Sequence, residues 1–155
     1  MPAFEAISEG EEQTVDFGRR LAAVLRVGDV VCLDGELGTG KTRLVEGIAR
    51  GLGYAGPVTS PTFTLVHEYE SNPPLAHVDA YRLADGDEFL SLGISELWET
   101  GIVAVEWADR VADVLPRRRL TVRGESVGVD ARRWSIAWSR PREGDTTSLE
   151  STLRD

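Results

Sequence analysis

The stretch "DGELGTGKTRL", Asp34 to Leu44, sets Gly35, Gly40, Lys41 and Thr42 in the spacing G-x-x-x-x-G-K-[ST]. That spacing suits a phosphate chain. Glycines at 35, 38 and 40 allow backbone turns that a side chain forbids, so the N–H groups of Gly38, Thr39 and Gly40 can curl around an anion. Lys41 would reach the β- and γ-phosphates as a point charge, and the Thr42 hydroxyl would take one position on Mg²⁺. Arg43 follows in the same turn. Lys41 is also the one lysine among the 17 basic residues; the rest are arginine. A chain that otherwise writes its cations as a planar fork keeps a compact ammonium where a phosphate would sit.

Three further groupings could complete such a site. "IVAVEW" sets Glu106 directly after apolar residues, where a strand's carboxyl end would present a metal-side carboxylate. Trp107 beside it could stack on a base or close the pocket. "HVDAYR" would align His77, Asp79 and Tyr81 along one strand face, with Arg82 next. A carboxylate there can orient or deprotonate water, and an arginine can neutralise charge on a γ-phosphate; the competing reading is the solvated face of an edge strand. "SPTFTL", Ser60 to Leu65, places hydroxyls, Thr62 among them, in a loop that could sense a γ-phosphate.

These residues need elements to hold them. "VVCLD" before the glycine loop reads as a buried parallel strand, and "KTRLVEGIARGLG" after it as a helix with Leu44, Ile48 and Leu52 on one face. Ser8 and Glu11 have capping-box spacing, predicting a first helix with Phe17, Leu21, Val24 and Leu25 inward. "LAHVDAYR" and "GIVAVEWA" read as strands, "DRVADVLP" as a helix ending before Pro116, and "RRLTVRG" and "RRWSIAW" as two closing strands. The expectation is one α/β domain over residues 1–139, with a disordered tail over residues 140–155 that is poor in apolar side chains.

Composition narrows the function. The 155 residues suffice for one core, and 41% hydrophobic content argues against global disorder. A formal net charge of −9 disfavours direct binding of a nucleic-acid backbone. The apolar runs are of strand length, far short of a membrane span. "MPAFEAISEGEEQ" lacks a signal peptide's basic start and apolar stretch, and the single cysteine, Cys32, sits inside a predicted strand. The expectation is a cytoplasmic protein without a membrane partner.

Taken in order, "GELGTGKT", "SPTFTLVHEY", "HVDAYRL", "LGISE" (Leu92 to Glu96) and "VEWADRVADVLP" resemble the TsaE family, small bacterial P-loop ATPases of tRNA threonylcarbamoyladenosine synthesis. The resemblance spans residues 14–116. It implies a P-loop NTPase-like fold with a mixed β-sheet flanked by helices, Mg-ATP binding, slow hydrolysis, and work alongside a TsaB–TsaD heterodimer, with tRNA reached only indirectly. By that resemblance Lys41, Asp79 and Glu106 are catalytic, and Thr42 and Glu106 serve the metal. Thr14, the loop residues Gly38 to Arg43, Thr62, Trp107 and Arg132 would hold the nucleotide. Ala108 departs from the pattern, since many members carry proline there.

Two rivals share the glycine loop. A regulatory GTPase would need an N-K-x-D element, yet the one asparagine, Asn72, is followed by Pro73. A small-molecule kinase would need an acceptor pocket and an arginine-bearing lid, for which Arg117 to Arg119 is the candidate run.

Overall fold

The computed structural model describes residues 4–35, 40–61, 65–94 and 96–154. The elements run β1 (Phe4–Ser8), α1 (Glu11–Ala22), β2 (Val30–Asp34), α2 (Lys41–Gly51), β3 (Val66–Tyr69), β4 (Leu75–Asp79), α3 (Gly86–Ser91), α4 (Leu97–Thr100) and β5 (Ile102–Glu106). A 3₁₀ helix (Ala108–Val114), β6 (Arg119–Ser126), β7 (Arg132–Ser139) and α5 (Asp145–Leu153) complete the chain. All seven strands form one mixed sheet in the order β1-β7-β6-β2-β5-β4-β3. β4, β5, β2 and β6 are parallel, while β3, β7 and β1 pair antiparallel at the flanks.

Side chains alternate across this sheet, and each face has its own cover. Val31 and Leu33, Ile102 and Ala104, and Leu120 and Val122 point to the face packed by Leu21, Leu44, Val45 and Ile48 of α1 and α2. Val30, Cys32, Val103 and Val105 point to the other face, under Phe89, Ile94 and Val111. Strands covered on both sides explain the continuous apolar runs of β2 and β5. Burial raises the Cys32 thiol to about 11, so it behaves as a small core hydrophobe.

Helices α1 and α2 meet backbone to backbone. A Cβ on Gly47 would overlap the Val15 carbonyl oxygen, and one on Gly18 the Leu44 carbonyl oxygen. This approach fixes α2, and so the position of Lys41 at its first turn.

Two expectations change here, and one competing reading falls. The N-terminal stretch carries an unforeseen edge strand, β1, in which Ser8 is the last residue. The helix cap is Gly10, without a side-chain hydrogen bond, because the Ser8 hydroxyl is engaged elsewhere: it bonds the Thr14 hydroxyl at 2.8 Å and accepts from the Trp134 indole N–H at 3.0 Å. Nor is β4 an edge strand, since β3 covers it; His77 is wholly buried and Asp79 nearly so. Finally, the segment from Arg140 onward is not extended coil throughout. It holds α5, whose two apolar residues in helical register, Leu149 and Leu153, are buried in the α1 core. Arg118 grips Asp145 through both terminal nitrogens, at 2.6 and 3.1 Å, and Arg20 donates to the Leu153 carbonyl at 3.2 Å. Low apolar content concealed the helix because two leucines suffice when a neighbouring face is already apolar.

Candidate nucleotide site

The connections place the site. From β2 the chain crosses through α2 to the edge strand β3 on one side, returns through β4 and β5, and then crosses to β6 on the other side of β2. The carboxyl end of β2 is therefore the point where the winding reverses, the usual ligand crevice in an open α/β sheet. Lys41, Asp79 and Glu106 all collect along that edge. In register, Asp79 of β4 stands opposite Glu106 of β5, and Glu106 opposite Leu33 of β2.

Gly40 caps α2 with φ of +97°, a left-handed conformation that favours glycine. A Cβ there would lie 3.7 Å from the Trp134 ring and 3.8 Å from the Thr14 methyl. Those two side chains thus form a floor beneath the end of the glycine loop. Residues 36–39, with the expected ligands Gly38 and Thr39, lie outside the described residues, as does Thr62 in the 60–65 loop.

Lys41 is buried, with its Nζ 2.8 Å from the Gly35 carbonyl oxygen and 3.3 Å from Glu106 Oε1. The other Glu106 oxygen lies 2.7 Å from His77 Nε2. Burial alone would raise the Glu106 pKa. The His77 hydrogen bond and the His77 and Lys41 charges outweigh it, holding the carboxyl below its ordinary range. Glu106 is therefore an anion at neutral pH. Its side chain shares the α2 face of the sheet, as do those of His77 and Asp79, two and four residues after Leu75.

Asp79 is tied at its backbone and its carboxylate. Its N–H donates to the Leu65 carbonyl at 2.9 Å, and its Oδ1 accepts from the Tyr81 N–H at 3.0 Å. Leu65 N–H in turn donates to the Pro61 carbonyl at 2.7 Å, which ties Pro61 and Leu65 to the end of β4. Trp107 adopts φ of +60°, rare for a bulky residue and a sign of local strain at the end of β5. Its ring lies 4.9 Å from that of Tyr81 and 6.0 Å from Lys41 Nζ. With alanine at 108 the 3₁₀ helix still begins directly after this turn.

The remaining expected ligands lie farther from this centre or are otherwise engaged. Thr14 is buried, and its hydroxyl is shared between Ser8 and the Gly10 carbonyl. Arg43 pairs with Glu46 one turn along α2. Arg132 stands at the same sheet edge, at the start of β7, where it donates to the carbonyls of Val129 and Ala131 in its own turn. Arg118, from the arginine run, lies at the opposite edge, with its guanidinium 3.8 Å from the centre of the Trp138 ring. A cleft of about 230 Å³ runs from Gly35, Lys41 and Trp107 along the outer face of β2 toward Arg119. Sequence reasoning had His77 in its motif but not its contact with Glu106, and missed the Ser8–Trp134–Thr14 floor. Alternation was the available signal for the first; the second joins segments 126 residues apart and leaves no local trace.

Among the described residues, no three His, Cys, Asp or Glu side chains gather to hold a metal by themselves. Thr42, in the first turn of α2, and Glu106, at the end of β5, are the two residues expected to serve a metal. No helix among the described residues is long and apolar enough to cross a membrane.

The glycine loop between β2 and α2, at the switch point of a mixed sheet with an acidic residue ending the neighbouring strand, defines a P-loop NTPase-like α/β domain. Residues 8–134 match the family described as threonylcarbamoyl adenosine biosynthesis protein TsaE. The tRNA threonylcarbamoyladenosine biosynthesis protein TsaE of Streptomyces coelicolor is 46% identical over 112 residues, covering 70% of this chain and 76% of that one. Its Bacillus subtilis counterpart is 41% identical over 123 residues, covering 78% and 77%. The crystal structure of Bacillus subtilis YdiB superposes with a TM-score of 0.79 at 31% identity, covering 97% of this chain and 94% of that one. The chain belongs to the TsaE family of tRNA threonylcarbamoyladenosine biosynthesis.

Proposed function

We propose that this protein is a Mg²⁺-dependent ATPase whose nucleotide cycle serves threonylcarbamoyladenosine synthesis through ATP-dependent association with a TsaB–TsaD heterodimer. The observation that carries the reading is the buried Lys41–Glu106 pair beside Gly40, an ammonium and a carboxylate held where a phosphate chain and its metal would lie. Mg²⁺ held there would supply charge neutralisation on the phosphates. Asp79, fixed by Leu65 and Tyr81, orients the attacking water and accepts its proton. The half-exposed Trp107 closes the pocket on the solvent side.

The net charge of −9 supports an indirect link to tRNA, made by the partner. Hydrolysis by the isolated chain is slow in this reading. Groups supplied in trans raise phosphoryl-transfer rates by about 10³–10⁵ in the best-characterised systems. The experiment is phosphate release by the purified protein with and without the heterodimer, together with association measured in ATP and in ADP. Faster release and preferential association in ATP are expected. Equal association in both nucleotides, with no stimulation, would remove the coupling and leave nucleotide binding standing. A phosphorylated metabolite in place of inorganic phosphate would point to a kinase.

A further inference from the structure

His77 lies on the middle of β4, at 0% exposure, on the sheet face covered by α1 and α2. On that face Leu75 and Ala104 beside it are apolar, while Asp79 follows two residues on and His67 stands opposite on β3. A histidine is a costly occupant there, since a buried polar group is tolerated only when its hydrogen bonds are made. Its Nδ1 has no hydrogen-bond partner among the described residues, and Nε2 reaches Glu106 Oε2 at 2.7 Å. A leucine would fill the position without an orphaned nitrogen. The one thing a leucine could not do is hold Glu106.

That hold is directional. With Oε2 taken by His77, Oε1 is the oxygen turned toward Lys41, 3.3 Å away, at the edge where the glycine loop ends. Without His77 the carboxylate could rotate about its terminal bond, which is broad and roughly two-fold, and Lys41 could draw either oxygen. Glu106 would keep its charge but not its aim. We infer that His77 is a positioning residue, which locks the Glu106 carboxylate so that a single oxygen faces the bound metal and nucleotide. This rests on the Mg-ATP reading given above. It brings a residue of β4 to the metal side of the site, which is then set jointly by β4, β5 and α2.

The test compares the full-length protein with His77→Leu and His77→Gln; the glutamine amide nitrogen reaches about as far as Nε2 and can still donate. Mn²⁺ serves as the metal probe, titrated into protein saturated with a non-hydrolysable ATP analogue and followed by electron paramagnetic resonance. His77→Leu should bind Mn²⁺ about 10- to 100-fold more weakly, the usual loss when the partner of a metal ligand is removed. Its affinity for the analogue in EDTA should stay within about twofold, and His77→Gln should recover most of the metal affinity.

Parental Mn²⁺ affinity in His77→Leu, or a folded His77→Gln as weak as His77→Leu, would overturn the inference. A parent protein that binds the analogue without retaining Mn²⁺ would overturn the Mg-ATP reading and this one with it, and the parental titration alone reveals that case. A second readout needs neither nucleotide nor a stable leucine variant. In ¹⁵N-labelled protein the His77 Nε2–H resonance should lie downfield and shift upfield in Glu106→Gln. No change on that substitution would mean the contact is not formed.

Discussion

Lys41 and Glu106 form a buried ion pair, Nζ to Oε1 at 3.3 Å, that joins the first turn of α2 to the last residue of β5. Neither side chain is spent on the pair alone. Lys41 also donates to the Gly35 carbonyl, and Glu106 also meets His77. Both charges are thus kept in place at low dielectric before a ligand arrives, so little reorganisation is left for binding.

Replacing Lys41 by alanine should weaken ATP binding by about 10- to 100-fold, the value of a charge-assisted hydrogen bond to a phosphate. The protein should remain folded, since Glu106 keeps His77 as a partner. Equilibrium binding of a fluorescent ATP analogue checks this, and a mutant hydrolysing ATP at the parental rate would remove the site assignment.

Glu106→Gln separates metal from phosphate. Removing the carboxylate's charge from beside Lys41 leaves that ammonium more available, so nucleotide affinity in EDTA should be unchanged or tighter. Mg²⁺-dependent turnover should fall by at least about tenfold. Equal losses with and without Mg²⁺ would count against a metal role.

Asp79→Asn tests the proton acceptor. The asparagine carbonyl can still accept from Tyr81 N–H, so the turn after β4 and the ATP affinity should survive. Turnover should fall by about 10²–10⁴, the range for loss of a general base. If ATP binding falls instead, Asp79 is a ligand and not a base.

Much of this arrangement is legible in the sequence because its signals are local. The apolar run from Val30 to Leu33, the glycine spacing and the helical register of Leu44 and Ile48 each lie within about ten residues. Glu106 is readable for the same reason, as a charge ending an apolar strand. What escapes is tertiary. β1 is too short and too mixed to declare itself, and it exists because β7 offers it a partner from Phe4↔Ile136 to Ser8↔Arg132. The Ser8 and Glu11 spacing predicted a cap, yet Trp134 and Thr14 claimed the Ser8 hydroxyl. α5 is visible only once the apolar flank of α1 that receives Leu149 and Leu153 is in place.

Gly47→Ala probes how the loop helix is fixed. Alanine favours a helix by about 1 kcal/mol over glycine, so an open site would be stabilised. Here the added Cβ collides with the Val15 carbonyl, a backbone atom that cannot rotate away. Overpacking should win, with a net loss of about 1–2 kcal/mol and weaker ATP binding as α2 shifts. Thermal unfolding and nucleotide titration together check this; a higher Tm would mean that the helices are not so closely apposed.

The last expectation concerns acid and the C-terminal helix. The Asp145 carboxylate is held below its ordinary pKa chiefly by the paired hydrogen bonds from Arg118, and α5 is anchored through it. A depressed carboxyl stabilises the fold fully above its unfolded pKa of about 4. That contribution is lost as pH falls through the lower, folded value. Asp145→Asn should therefore cost about 1 kcal/mol at pH 7, or roughly 2–4 °C in Tm for a chain of this size. Amide exchange should quicken across residues 145–153 and not in β2, whose strands are buried on both faces. Because the parent protonates the same group in acid, the difference in Tm between parent and variant should shrink below about pH 4 and vanish once Asp145 is protonated in the folded state. Asp16, held low by Arg19 and Arg20 on α1, titrates alike in both proteins and cancels from that difference. A gap that persists undiminished to pH 2 would mean that the Arg118 pair does not secure α5, leaving Leu149 and Leu153 as its anchors.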